Sequence, residues 1–198
     1  MTHAVDTAPS GLLATLNARF HRAALAVYLT IVIGHWAEHL VQAYQIWVLG
    51  WPRPQARGVL GMPFPWLVSS EWLHYGYAIV MLIGLFLLRR GFTGRARAWW
   101  TVALTLQFWH HVEHAILLTQ AHTSWRFPGT QMPTSMLQLL VPRVELHLFY
   151  NSIVFIPMLI AMYLHMRPNP LERATMSCTC ARPANRLSWG RPTVAASD

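Results

Sequence analysis

Apolar residues fill four stretches of the chain, 23–47, 66–88, 98–120 and 139–165, and polar residues and prolines separate them. Each stretch is long enough, wound as a helix rising about 1.5 Å per residue, to cross roughly 30 Å of hydrocarbon. The pattern predicts an all-α protein, an integral membrane four-helix bundle in which each pair of spans forms one helical hairpin. It assigns residues 1–22 to an N-terminal segment, 23–166 to the membrane bundle and 167–198 to a C-terminal tail. Leu12, Leu13, Leu16 and Phe20 could line one face of a short interfacial helix leading into the first span.

Polar residues interrupt the spans where the bilayer should be driest. Of seven acidic residues, Asp6, Glu172 and Asp198 lie in the flanks, and the others fall one per span: Glu38, Glu71, Glu113 and Glu145. Beside them stand His35 and His39, His74, His110, His111 and His114, and His147. A charge at mid-membrane costs roughly 2.5–3.5 kcal/mol on insertion scales, so such groups are expected to meet partners inside a bundle.

The two halves of the chain share a pattern. Spans one and three both carry H-x-x-E-H, as His35, Glu38, His39 and as His110, Glu113, His114. Each is followed by a loop with a Met-Pro pair, Met62-Pro63 and Met132-Pro133, and then by L-H-x-x-Y, Leu73 to Tyr77 and Leu146 to Tyr150. An internal repeat with both units in the same membrane orientation is expected.

Depth and facing bring these residues together. His39 lies eight residues before Trp47, and His114 eight before His122; His74 lies eight after Trp66, and His147 eight after Leu139. Eight residues span about 12 Å, so alternating helices set the four imidazoles at one level. Residues three and four apart share a face, which groups His35, Glu38, His39 and Gln42 on span one, and His110, Glu113 and His114 on span three with His111 at the edge. Glu71, His74 and Tyr75 share a face of span two. On span four, His147 aligns with Tyr150 and Asn151, and Glu145 turns aside.

Composition agrees with a membrane protein: 54% of the 198 residues are hydrophobic and 11% charged. All fifteen basic residues are arginine. Eleven flank one side of the predicted spans and Arg53, Arg57, Arg126 and Arg143 the other, which places both termini in the cytoplasm and the histidines in the outer half. A plasma membrane of bacterial type is the expected location, the lipid bilayer the expected partner. Nucleic acid is not, because the basic tails lack interleaved aromatics or a binding module. Trp47, Trp51, Trp66, Trp99, Trp100 and Trp125 read as interface anchors. The tail beyond Pro170 is rich in Pro, Ser, Thr and Arg and is expected to be disordered. Cys178 and Cys180 within it read as reduced, idle thiols, with a soft-metal pair as the alternative. His3 and His21 read as tail residues, His122 and His165 as packing residues near span ends.

Imidazole and carboxylate together point to a metal centre, and their number suggests two ions. His35, Glu38, His39, His74, His110, Glu113, His114 and His147 are the expected ligands, with Glu71 as ligand or proton acceptor. His111, Glu145, Tyr77, Tyr150, Asn151 and Gln42 would support them. His35-x-x-x-His39 and His110-His111-x-x-His114 resemble the histidine boxes of integral-membrane di-iron hydroxylases and desaturases. That resemblance implies two Fe ions, an electron donor and oxidation of a small hydrophobic or lipid-soluble substrate. Zn, Cu or Mn remain open as the metal. So do a haem b ligated by two imidazoles, a protein that binds or inserts metal without catalysis, and an inverted zinc-protease reading of H-x-x-E-H.

Overall fold

A computed structural model describes residues 11–178 and Cys180. Within them the fold is all-helical: α1 (Leu12–Asn17), α2 (His21–Trp47), α3 (Trp66–Ser69), α4 (Glu71–Leu88), α5 (Gly94–His122), α6 (Arg143–Met166) and α7 (Pro170–Ala174). His3, Asp6, Asp198 and the tail beyond Cys180 lie outside the described residues.

Local chemistry sets the helix ends. The second apolar stretch, expected as one helix from residue 66, breaks at Ser70, whose extended backbone separates α3 from α4 and whose hydroxyl accepts the Leu73 N–H. An N-cap serine stops one helix and starts the next. α6 begins at Arg143 rather than at 139, because Pro142 is extended and fits only the entrance to a helix. α1 lies where a short helix was expected but ends at Asn17, leaving Phe20 outside it.

The four long helices α2, α4, α5 and α6 pack on one another, with α5 in closest association with α4 and α6. The apolar core occupies the half of this array where α2 begins and α6 finishes. Leu25, Tyr28 and Val32 of α2 meet Met81, Leu85 and Leu88 of α4, Trp100 of α5, and Val154, Phe155 and Met158 of α6. Ala96, Ala103 and Ala161, all buried, let the backbones approach. Polar groups inside this layer are satisfied by backbone carbonyls: Tyr28 Oη donates to Met81 O (2.9 Å), Trp100 Nε1 to Leu85 O (2.7 Å) and Gln107 Nε2 to Ala78 O (3.3 Å). The histidines occupy the other half of the array.

Three helical stretches, His21–Trp47, Glu71–Gly91 and Arg143–Met166, are long and apolar enough to cross a membrane. α5 is longer than any of them but is diluted by Arg95, Arg97, Gln107, four histidines and Glu113. Large apolar side chains such as Val27, Ile31, Val80, Ile83, Phe86, Val102, Phe108, Phe149 and Ile156 face outward. Such a belt would be an aggregation liability in water and is an ordinary surface in lipid.

The segment after Pro170 departs from the expected disorder as far as it is described. Asn169 and Glu172 form a capping box that starts α7. The Glu172 carboxylate also accepts the Arg95 backbone N–H (3.0 Å) and pairs with the Arg95 guanidinium (2.9 and 3.0 Å). Asn17 closes the same end, accepting the Gly91 N–H (2.7 Å) and donating to Leu87 O (2.8 Å). A polar side chain that satisfies backbone groups of a neighbouring element fixes that element without a large apolar interface.

Arg95 beside Glu172 lowers its carboxyl from an ordinary 4.5 to about 2. A depressed folded value means that the clasp contributes fully above the unfolded value and is lost as pH falls toward about 2. Amide exchange over residues 170–176, corrected for the intrinsic rate, should therefore accelerate as pH drops below about 4.5. Glu172→Gln should make exchange fast already at neutral pH.

Candidate metal centre

Six imidazoles converge from the four long helices. His35 and His39 come from α2, His74 from α4, His110 and His114 from α5, and His147 from α6. Ring centroids lie 5.2 Å apart for His39–His147, 5.4 Å for His114–His147, 5.8 Å for His110–His147, 6.0 Å for His74–His147 and 6.1 Å for His74–His114. His147 is thus the hub. The helical spacing of four residues does the local work, because it stacks each pair on one face: His35 Nε2 is 3.0 Å from His39 Nε2, and His110 Nε2 is 3.2 Å from His114 Nε2.

Three rings are oriented from behind. His74 Nδ1 donates to Ser70 O, His147 Nδ1 to Arg143 O and His39 Nδ1 to Gln42 Oε1, each at 2.8 Å. A ring that donates through Nδ1 keeps its Nε2 lone pair free, the tautomer a metal ligand needs. The His147 Nε2 atom is buried with no hydrogen-bond partner among the described residues. Tyr77 stacks on His35 (3.6 Å between ring centroids) and Tyr150 lies over His110 (4.2 Å). Both phenol oxygens are buried without a hydrogen-bond partner among the described residues.

The glutamates go elsewhere. Glu38 accepts the backbone N–H groups of Val59 (2.8 Å) and Leu60 (3.0 Å) in the α2–α3 loop. Glu113, at the matching position of α5, accepts the Leu137 N–H (3.2 Å) of the α5–α6 loop. Gly58 beside Glu38 has φ +75°, and a Cβ there would collide with the carboxylate. Glu71 pairs with Arg143 through both oxygens (2.6 and 2.9 Å), and Glu145 pairs with Arg53 (2.5 Å). The four carboxylates therefore brace loops and helix ends, and the inward-facing donor set is imidazole. Glu145 does turn away from His147, but toward Arg53; the partner of Arg143 is Glu71.

The remaining expected residues lie around the cluster. Gln42 orients His39, as above. Asn151 donates to His147 O (2.9 Å) and lines a small polar void with Trp36, Tyr77, Gln107, His110 and Tyr150. His111 packs on Tyr75 (5.1 Å), at the edge of the group. Two glutamines were not singled out for the loops they hold. Gln45 exchanges hydrogen bonds with the Gly58 backbone (2.9 and 3.3 Å), and Gln120 does the same with Thr134 (3.0 and 2.9 Å). Each stands seven residues after its H-x-x-E-H glutamate, two helical turns along the same face, and that spacing was the available signal.

A cavity of about 260 Å³ reaches the cluster from the loop end, lined by His39, His74 and His147 with Arg53, Arg143 and three small apolar residues, Ala56, Val68 and Val144. Each arginine is neutralised by its glutamate, so the mouth is polar without a large net charge.

A second group sits at the opposite end of the helices. His21, His165, Cys178 and Cys180 bring one ligand atom each to within 4.8 Å of all the others, close enough to hold a metal ion. They come from three distant segments, so no spacing motif joins them. The signal in the sequence was that all four lie at the same end of the predicted spans. Comparison with known proteins adds no relative: no family model, curated protein or solved structure matches the chain.

Glu113 is 2% exposed, whereas the Glu38 bonds to Val59 and Leu60 are solvent-exposed. Glu113→Ala should thus cost about 1–3 kcal/mol of stability, the range for orphaning a buried partner, and Glu38→Ala less. Thermal denaturation in detergent measures both.

Proposed function

We propose that this chain is an integral membrane metalloprotein in which α2, α4, α5 and α6 form a four-helix bundle of two tandem hairpins around a dinuclear centre. In this reading both termini are cytoplasmic, the centre lies in the outer half of the bilayer, and its two ions are iron. The centre oxidises a small hydrophobic or lipid-soluble substrate, with electrons from a separate donor.

The observation that carries the reading is the pair of His–His contacts. Two nitrogens bound to one ion at 2.0–2.1 Å and near-tetrahedral to right angles lie about 2.9–3.4 Å apart. The Nε2 pairs at 3.0 and 3.2 Å fall in that interval, one pair from α2 and one from α5. His74 and His147 lie beside them, 5.2–6.1 Å away by ring centroids, and would have to draw in to complete each set. Glu38, Glu71 and Glu113 then act by bracing the scaffold, which alters the ligand set expected from the sequence to six imidazoles. Imidazole suits Fe, Cu and Zn better than the oxygen-seeking Mn.

Tandem duplication is supported by contacts that recur at equivalent positions: Glu38 and Glu113 on loop amides, Gln45 and Gln120 on loop backbone, and Tyr77 and Tyr150 on His35 and His110. A haem is disfavoured, because rings packed 4.5–6.1 Å apart leave no slot for a flat macrocycle. The protease reading is disfavoured because both H-x-x-E-H glutamates are engaged by loop amides rather than poised as bases.

Bound iron would supply the redox chemistry. The chain supplies the rest: the cavity admits and orients the substrate, the apolar layer beneath the cluster keeps protons and water from crossing, and Tyr77 and Tyr150 hold phenolic hydrogens against two of the ligands. Stacked phenols with buried, unbonded hydroxyls are the feature that favours oxidation over metal storage.

Elemental analysis and optical spectra of the detergent-purified protein test this reading. Two equivalents of iron without a Soret band are expected. His39→Ala and His114→Ala should each lower iron by about half, while Glu38→Gln and Glu113→Gln leave iron per folded molecule unchanged. A Soret band, or iron unaffected by both histidine substitutions, contradicts it.

A further inference from the structure

The second His/Cys group shares no residue with the proposed redox centre, and α2 separates them by the fourteen residues from His21 to His35, or about 21 Å of helix. Its parts are brought together by the fold. His21 opens α2, His165 lies in the last turn of α6, and Cys178 and Cys180 follow α7. Both imidazoles are almost fully buried, His21 at 0% and His165 at 2% exposure, and the cysteines are half-buried.

Two sulfur–nitrogen distances suit a tetrahedral site. Cys178 Sγ lies 3.2 Å from His165 Nε2, and Cys180 Sγ lies 3.5 Å from His21 Nδ1. The His21 and His165 rings meet edge to face at 5.1 Å. With metal–sulfur bonds of about 2.3 Å and metal–nitrogen bonds of 2.0–2.1 Å, the sulfur–nitrogen edge of a tetrahedral site is about 3.5 Å. The tautomer is set as well: His21 Nε2 donates to Leu88 O (3.3 Å), which leaves Nδ1 free to face Cys180. Gly91 leaves room for this ring, since a Cβ there would strike the His21 imidazole. Phe92 packs against both imidazoles, 5.2 Å from His21 and 4.6 Å from His165, and shields them on one side.

We propose that His21, His165, Cys178 and Cys180 form a structural zinc site that fastens the C-terminal segment to the ends of α2 and α6. Four protein ligands close the coordination sphere, the mark of a structural site, and two thiolates with two imidazoles suit zinc better than ions that seek oxygen. The ion fastens the C-terminal segment to α2 and α6, beside polar contacts that tie it to α1 and α5, among them Ser177 Oγ to Asn17 O (3.4 Å) and the Glu172–Arg95 pair. Binding displaces the thiol protons and involves no change of oxidation state.

The test uses the full chain purified in detergent under reducing conditions, with zinc and iron measured on the same samples. Stoichiometric zinc is expected in the wild type, falling roughly tenfold in the Cys178→Ser/Cys180→Ser double variant while iron stays constant. His39→Ala/His114→Ala should show the converse, so that failure of one site is read separately from failure of the other. Wild-type protein loaded with Co2+ instead should give the intense visible bands of tetrahedral thiolate-bound cobalt, a readout that needs no variant to fold. Zinc unchanged in the cysteine variant, copper in place of zinc, or cobalt spectra without thiolate bands would overturn the proposal.

Discussion

A polar group inside an apolar medium must find a partner within the protein, and this constraint organises the whole molecule. The chain places four glutamates and at least seven histidines in its four long helices, and the fold sorts them by chemistry. Carboxylates, the costliest to desolvate, are met by arginines and loop amides that neutralise or bond them. Imidazoles, which can stay neutral, remain inside and face one another. The result is two layers: a packed apolar floor where α2 begins and α6 finishes, and a histidine chamber beneath the loops.

The loops are held with unusual economy. Glu38 with Gln45, and Glu113 with Gln120, each clamp backbone groups of the loop that follows their helix. Those loops in turn carry Arg53 and lead to Arg143, whose ion pairs with Glu145 and Glu71 join the hairpins. The Arg143 carbonyl also receives the His147 Nδ1–H, so the residue that anchors a helix end orients the central imidazole through the same peptide. Disturbing Glu71 would therefore reach His147 through Arg143 and not through direct contact.

Much of this was legible in the sequence because helical periodicity and depth are one-dimensional quantities. The level shared by His39, His74, His114 and His147, and the common face of His35 with His39 and of His110 with His114, follow from counting residues, and the rings do converge. The fates of Glu38, Glu71 and Glu113 were hidden, because their partners are loop amides and an arginine whose positions depend on how the loops fold. The break at Ser70 was hidden too: a serine within an apolar run reads equally as a helical residue or as a cap. The His21–His165–Cys178–Cys180 group was least visible, since it requires the tail to fold back, and a segment rich in Ser, Thr, Pro and Arg suggests disorder. The capping box at Asn169 and Glu172 was the local sign to the contrary. That α5 misses the apolar content of the other three long helices has in part the same origin as the site, because Gln107, His110, Glu113 and His114 are turned inward, whereas Arg95 and Arg97 are exposed.

X-ray absorption at the iron edge of the purified protein addresses the central claim most directly, since it reads the atoms around the ion. The account predicts a first shell of nitrogen and oxygen alone near 2.0–2.2 Å, about three imidazoles per iron by their outer-shell scattering, and no sulfur. A shell without imidazole scattering, or one containing sulfur at about 2.3 Å, would contradict it.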